Sequence, residues 1–414
     1  MTEFLTLLPP LKARAKLFEQ LTFLPASEEI ETTRGLNRVL VDPILAAHPL
    51  PSFPRSTVDG YALRAADTYG SSESIPAYLT IAGEVRMGTA PNFSLSAAHC
   101  ALIYTGGMLP AGADAVMMME HTQAVRDGEV EVLRSVAIGE NVLQSGEDVS
   151  EGQQVFSAGT RLRPAEIGGL MALGVTRIRV ARKPLVGIIS SGDEVVPPES
   201  DLNPGQVRDI NSYTLSALVE QTGGQPVRYG IVPDEIEIFR NAANRALTEC
   251  DLIIITAGSS ASTRDLTARV IDELGEPGVL VHGVNLRPGK PTILAACATQ
   301  ARVKAVIGLP GNPVSALVVA RIFVVPVLER LLGLENLKPE PQVQARLSIN
   351  LASQAGREDW VPVRILPSPT GFQADPVFGK SNLIFTLARA DGFVRIPPDA
   401  TGLSAGEQVE VLLL

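Results

Sequence analysis

From Pro184 onward the chain alternates near-continuous apolar runs with amphipathic stretches. "LVGIIS" (185–190) precedes an expected helix over 211–222, and "PVRYGIV" (226–232) one over 234–249. "DLIIIT" (251–256) precedes a helix over 264–274, and "VKAVIG" (303–308) one over 313–332. Strands that are apolar at nearly every position and lead into helices imply a parallel, doubly wound sheet covered on both faces. The texture over 51–145 is different. Short alternating runs such as "YLTIAGEV", "CALIYTGG" and "EVEVLRSV" are separated by Gly, Pro and Asn, which is all-β material. A helix is expected over 11–24, stopped by Pro25, and residues 146–180 combine a Gly-rich opening, the short helix "PAEIGGLMALG" and the basic strand "TRIRVARK". After "LKPEPQ", residues 343–414 return to alternating runs with turn residues, a small β domain.

Composition narrows the class. The chain has 414 residues, 45% hydrophobic and 19% charged, so it is globular and divided into several domains. Aromatics are only 5%, which makes the core aliphatic. A net charge of −10 argues against a general grip on nucleic acid, so any bound anion needs a local site. Three scattered cysteines and four isolated histidines show neither a disulfide frame nor zinc-ligand spacing. "MTEFLTLLPPLK" has no basic n-region, and the apolar stretch Val314–Leu332 is interrupted by Arg321, Pro326, Glu329 and Arg330. Neither reads as a signal peptide or a membrane span, and a cytoplasmic protein is expected.

Ligands of a doubly wound sheet sit where strands lead into helices, and the loops there are unusual. In "GLPGNPVS", Asn312 is expected to cap the helix that Pro313 opens, Gly308 and Gly311 allow close backbone approach, and Ser315 adds a hydroxyl one turn in. Free N–H groups at such a helix start suit an anion. "AGSSASTRD" offers Gly258, Ser259 and further hydroxyls before the helix that holds Asp265. Neither a Walker loop nor a GxGxxG pattern occurs. "NLRPGKP" gathers Arg287, Lys290 and Pro291 at a Pro-Gly turn, suited to an oxyanion; the plainer reading is a solvated hairpin tip. Asp193, Glu194, Asp234, Glu235 and Asp265 collect at the same sheet edge, where carboxylates hold Mg²⁺ or simply cap helices.

Six motifs then follow in order: "STVDGYALR", "YTGGMLPAGADAVMMME", "SGEDV", "SSGDEVV", "RPGKP" and "GLPGNPVSA". Together they resemble the MoeA family of molybdopterin molybdenumtransferases, also seen as the E domain of gephyrin-like proteins. The resemblance covers about residues 5–410. It implies an elongated homodimer of four-domain subunits: a discontinuous linker domain (1–50 and 146–180), a β-rich inserted domain (51–145), a MogA-like molybdopterin-binding α/β domain (181–335) and a C-terminal small β-barrel (340–414). It also implies insertion of molybdate into adenylylated molybdopterin with Mg²⁺, release of AMP, and a molybdopterin adenylyltransferase as a partner enzyme.

By residue, the resemblance assigns Asp59, Thr105, Asp148, Glu194, Asp234 and Asp265 to the catalytic set, with Glu194, Asp234 and Asp265 as metal ligands. Asp59 and Thr105 would serve the cleft of the other subunit. Gly258, Ser259, Arg287, Lys290, Pro291, Gly311, Asn312 and Ser315 are assigned to substrate, and Arg357 of "GREDW" and Ser381 of "GKSN" form an expected oxyanion pair. The chain departs from the family pattern at "TAGSSASTRD" and at Arg287, where the family often has lysine; a flexible point charge becomes a rigid fork. Two other readings stand beside this one: a tungstate-inserting homologue, and a non-catalytic pterin-binding scaffold. A scaffold could lose Asp59, Asp148, Asp234 or Asp265, and all four are present.

Overall fold

The computed structural model describes residues 7–257, 261–334 and 340–414, with residues 261–265 described by their backbone alone. The chain packs into two compact units. One comprises residues 1–29, 37–41 and 179–414; the other comprises 30–36 and 42–178.

The first unit is built on a six-stranded sheet. Its order is Gln225–Val232, Leu185–Ser191, Leu252–Ala257, Val303–Pro310, Ile293–Ala298, Pro277–His282. The first four strands run parallel, each an apolar run named above. Successive residues alternate between two cores. Val186, Ile188, Leu252, Ile254 and Ile307 face the helices Pro10–Phe18, Asn211–Thr222 and Pro313–Val319. Ile189, Ile253, Ile255 and Val306 face Ile236–Glu249 and Ala261–Asp272. A strand buried on both faces has no polar side, which is why its sequence shows no alternation.

The last two strands correct the expectation of a wholly parallel sheet. Ile293–Ala298 and Pro277–His282 are antiparallel, joined by the turn that carries "NLRPGKP". No helix separates these runs, so the chain returns directly as a hairpin. Two helices also differ from expectation. The first ends at Phe18, because Phe23 folds back to pack edge-on against Phe18 at 5.2 Å. The helix from Pro313 passes through a π turn at Ala320–Val324 before continuing as Val325–Leu331. Pro326 has no N–H for the ladder, and the wider turn accommodates that loss.

Residues 342–413 form a barrel. Glu358–Ser368, Gly371–Pro376, Gln342–Leu347, Gln408–Leu413 and Gly392–Ile396 pair in that order, and the last closes on the first. Leu286–Arg287, from the hairpin turn of the α/β sheet, joins this barrel as an added parallel strand beside Glu358–Asp359.

The second unit centres on a six-stranded mixed sheet in the order Ala115–Met118, Gly60–Leu63, His99–Ile103, Ala77–Glu84, Glu129–Val132, Thr122–Arg126. Leu63, Leu79, Met117 and Val130 pack on one side of it, and Val85, Ala101, Ile103 and Val116 on the other. The helix Pro164–Ala172 belongs to the same unit.

Candidate active site

The added strand Leu286–Arg287 brings the basic turn to the barrel. Gly289 makes the turn possible: its φ is +125°, and a Cβ there would lie 2.5 Å from Val319 Cγ2. Thr292 Oγ donates to the Gly289 carbonyl at 2.6 Å and fixes the loop. Across the turn and the barrel lies a cavity of about 1090 Å³. Arg287, Lys290, Pro291, Asn312, Ser315, Arg357 and Ser381 all line it, so segments nearly a hundred residues apart meet in one place. Four cations, the fourth being Lys380, stand against one carboxylate, Asp359.

The loop from "GLPGNPVS" behaves differently from expectation. Asn312 precedes the helix but its side chain makes no cap bond. Instead Asn312 Nδ2 donates to Ser381 Oγ at 2.9 Å, and the Val314 amide donates to the Ser381 carbonyl at 3.1 Å. The helix start is thus tied to the barrel, and Ser381 Oγ, already accepting from Asn312, has its own proton to give to a ligand. Gly308 lies within the strand, where a Cβ would meet Ile293 Cβ at 3.0 Å; it serves sheet packing, not ligand approach. The Gly311 carbonyl accepts from Asn211 Nδ2 at 2.7 Å, a restraint on this loop that the sequence reading missed.

The acidic residues fall in two places. Asp193 and Asp234 follow neighbouring strands of the α/β sheet, and the Asp234 amide donates to Asp193 Oδ1 at 3.2 Å. Glu194 is exposed, its carboxylate folded against Gly192, whose φ of +140° and lack of Cβ leave it room. Asp265 lies on the helix Ala261–Asp272, with its side chain outside the described residues, as are Gly258 and Ser259. Among the described residues no three His, Cys, Asp or Glu side chains gather as a metal cage. Mg²⁺ takes only one or two carboxylates and completes its shell with water and phosphate oxygens, so single acids at these strand ends fit it without a cage.

Asp59, Thr105 and Asp148 lie in the second unit. Thr105 donates both its amide and its hydroxyl to Asp59 Oδ1, each at 2.8 Å. The amide bond first, then the hydroxyl bond, hold the Asp59 carboxyl below the usual carboxylate range. Gly60 follows because a Cβ there would strike the Met117 carbonyl at 1.9 Å. Asp148 is exposed in the turn after Gly146, its amide bonded to the Leu50 carbonyl at 3.0 Å.

A buried group behind the strand ends also escaped the sequence reading. Asp209 Oδ2 accepts from Ser190 Oγ at 3.0 Å and from Ser212 Oγ at 2.6 Å, fixing the start of the helix Asn211–Thr222. The signal was the acid–x–Asn–Ser spacing of "DINS" before a helix.

Comparison with known proteins fits this layout. Residues 8–174 match the MoeA N-terminal region (domain I and II), 187–330 match a probable molybdopterin binding domain, and 344–414 match the MoeA C-terminal region (domain IV). The chain belongs to the MoeA family. Among solved MoeA proteins, a molybdopterin biosynthesis protein of Pyrococcus horikoshii is 37% identical, with 99% of each chain covered and a TM-score of 0.81. Another from that organism is 30% identical over 99% of this chain and 100% of the other, with a TM-score of 0.86. A molybdopterin molybdenumtransferase of Nostoc sp. is 32% identical over 94% of this chain and 89% of its own length. No described helix of this MoeA-family chain is long and apolar enough to cross a membrane.

Proposed function

We propose that this chain is a molybdopterin molybdenumtransferase: it takes adenylylated molybdopterin and molybdate and yields molybdenum cofactor and AMP. The observation that carries this reading is the cavity where Arg287, Lys290, Arg357, Lys380 and Ser381 converge on a protein of net charge −10. Molybdate is a small dianion, and a net-acidic protein must capture it with fixed cations and hydroxyl donors. Each charge-assisted hydrogen bond contributes about 1.5–3 kcal/mol. Arg287 and Arg357 offer planar forks, Lys290 and Lys380 mobile point charges, and Ser381 a directed O–H.

The pterin and adenylate lie along the strand ends in this reading, near Asp193, Glu194, Asp234 and Asp265. Glu194, Asp234 and Asp265 would hold Mg²⁺, and the ion would supply charge neutralisation of the diphosphate. No covalent nucleophile takes part. The chain works in the cytoplasm as a homodimer, supplied by a molybdopterin adenylyltransferase.

The test is incubation of the purified protein with adenylylated molybdopterin and Mg²⁺, with AMP measured after adding molybdate or tungstate. AMP release that depends on molybdate is expected, and its absence would sink the reading. Asp265→Ala is expected to fold and to bind the adenylylated pterin while releasing little AMP. Wild-type release from that variant would count against the carboxylate role.

A further inference from the structure

We propose that Asp359 is a positioning residue that sets the geometry of the oxyanion cavity; the proposal rests on the anion-capturing role given above. Its place follows from strand register. Leu286–Arg287 pairs in parallel with Glu358–Asp359, which sets Arg287 opposite Asp359. Asp359 is buried, its side chain 4% exposed, and it lines the cavity.

Asp359 Oδ1 accepts from Arg357 Nε at 2.8 Å, and Oδ2 accepts from Arg357 Nη2 at 3.2 Å. The same Oδ2 lies 3.6 Å from Arg287 Nη1. The neighbouring carboxylate does not compete, since Glu358 is engaged by Trp360 Nε1 at 2.6 Å and by Arg395 at 4.0 Å. A guanidinium has two hydrogen-bonding edges. Asp359 occupies the Nε/Nη2 edge of Arg357 and leaves the Nη1/Nη2 edge for a ligand. Nη1 meets only Gln354 Oε1, at 3.5 Å, among its described partners.

By charge alone Asp359 opposes the site: a carboxylate facing two arginines cancels part of the field that attracts a dianion. Its contribution must therefore be geometric. It locks the plane of Arg357 and draws Arg287, the more exposed of the pair, toward the same locus, so that both forks are oriented before the anion arrives. Breaking one side of a buried, hydrogen-bonded ion pair frees the guanidinium to rotate.

Opposite signs separate this role from simple electrostatics. Molybdate binding to the full chain is measured by titration calorimetry for wild type, Asp359→Asn, Arg357→Lys and the double variant. Asp359→Asn is expected to raise the molybdate Kd about tenfold, although it makes the cavity more positive. Arg357→Lys, which keeps the charge and loses the fork, is expected to do the same, and the double variant to bind no worse than either single one. Equal or tighter binding by Asp359→Asn, or multiplying losses in the double variant, would overturn the proposal. Circular dichroism reports whether Asp359→Asn folds. If it does not, wild-type affinity in Arg357→Lys overturns the proposal by itself, and a tenfold loss there supports it. Failure of the wild type to bind molybdate would remove the anion-capturing reading itself, a result distinct from the others.

Discussion

Thr105 spends two donors on one oxygen of Asp59, from a position 46 residues further along the chain. Both bonds favour the ionised carboxyl, and the amide bond is the larger cause. Asp59 is therefore a standing anion at neutral pH, suited to accept a hydrogen bond or to touch a metal, and unsuited to deliver a proton. The sign of the pH effect follows. With the folded pKa depressed, the contribution of these bonds is present at neutral pH and is lost as pH falls through the lowered value. Thr105→Val keeps the amide donor and removes the hydroxyl. The Asp59 titration midpoint, followed by carboxyl NMR, is expected to rise toward the ordinary aspartate value while the residue stays ionised at pH 7. An unmoved midpoint would show that the hydroxyl bond does not form in solution.

Among elements, the helix Pro164–Ala172 shows how a short segment is fixed at its start. Glu166 accepts from the Arg163 amide at 2.8 Å and from its guanidinium, Nε lying at 3.0 Å. The guanidinium bond is the chief reason that the Glu166 carboxyl falls to about 2 from an ordinary 4.5. The resulting stability is complete above pH 4.5 and is lost as pH falls toward 2. Because the Arg163 side chain is 63% exposed, water screens the pair, and Glu166→Gln is expected to cost about 1 kcal/mol at pH 7. Urea denaturation at pH 7 and near pH 2 checks this, and an equal loss at both would reject it. The elements also mark how far the sequence could be read. The four parallel strands were legible because apolar runs led into amphipathic helices. The hairpin of Pro277–His282 and Ile293–Ala298 was not, because an apolar run does not state its direction, and here no helix intervenes. The same limit hid Asp359. Its residue type was plain in "GREDW", but its role depends on the pairing of Arg287 with a strand some seventy residues away, which no local pattern encodes.

At the scale of the α/β sheet and barrel together, the cavity depends on a shared interior. Trp360, Leu387 and Phe393 of the barrel pack in the same cluster as Val314, Phe323 and Leu328 of the long helix. Trp360 and Phe393 meet edge-on at 5.7 Å, with Phe393 only 1% exposed. Leu286–Arg287 supplies backbone pairing across the seam, and Ser381 satisfies a helix-start amide. Opening the barrel alone would expose these aromatics, at about 1.5–3 kcal/mol for each large apolar side chain, and would strand polar groups on both sides. The barrel is therefore expected to unfold together with the sheet that carries Arg287 and Lys290. Hydrogen exchange of the full chain at rising urea tests this. Amides of Val394 in the barrel and Ile307 in the central sheet strand should merge into one opening, with the same dependence on denaturant. A barrel that exchanges by a separate, cheaper opening would mean that the cavity forms and dissolves while the rest stays folded. Its arginines would then not be oriented in advance of the anion.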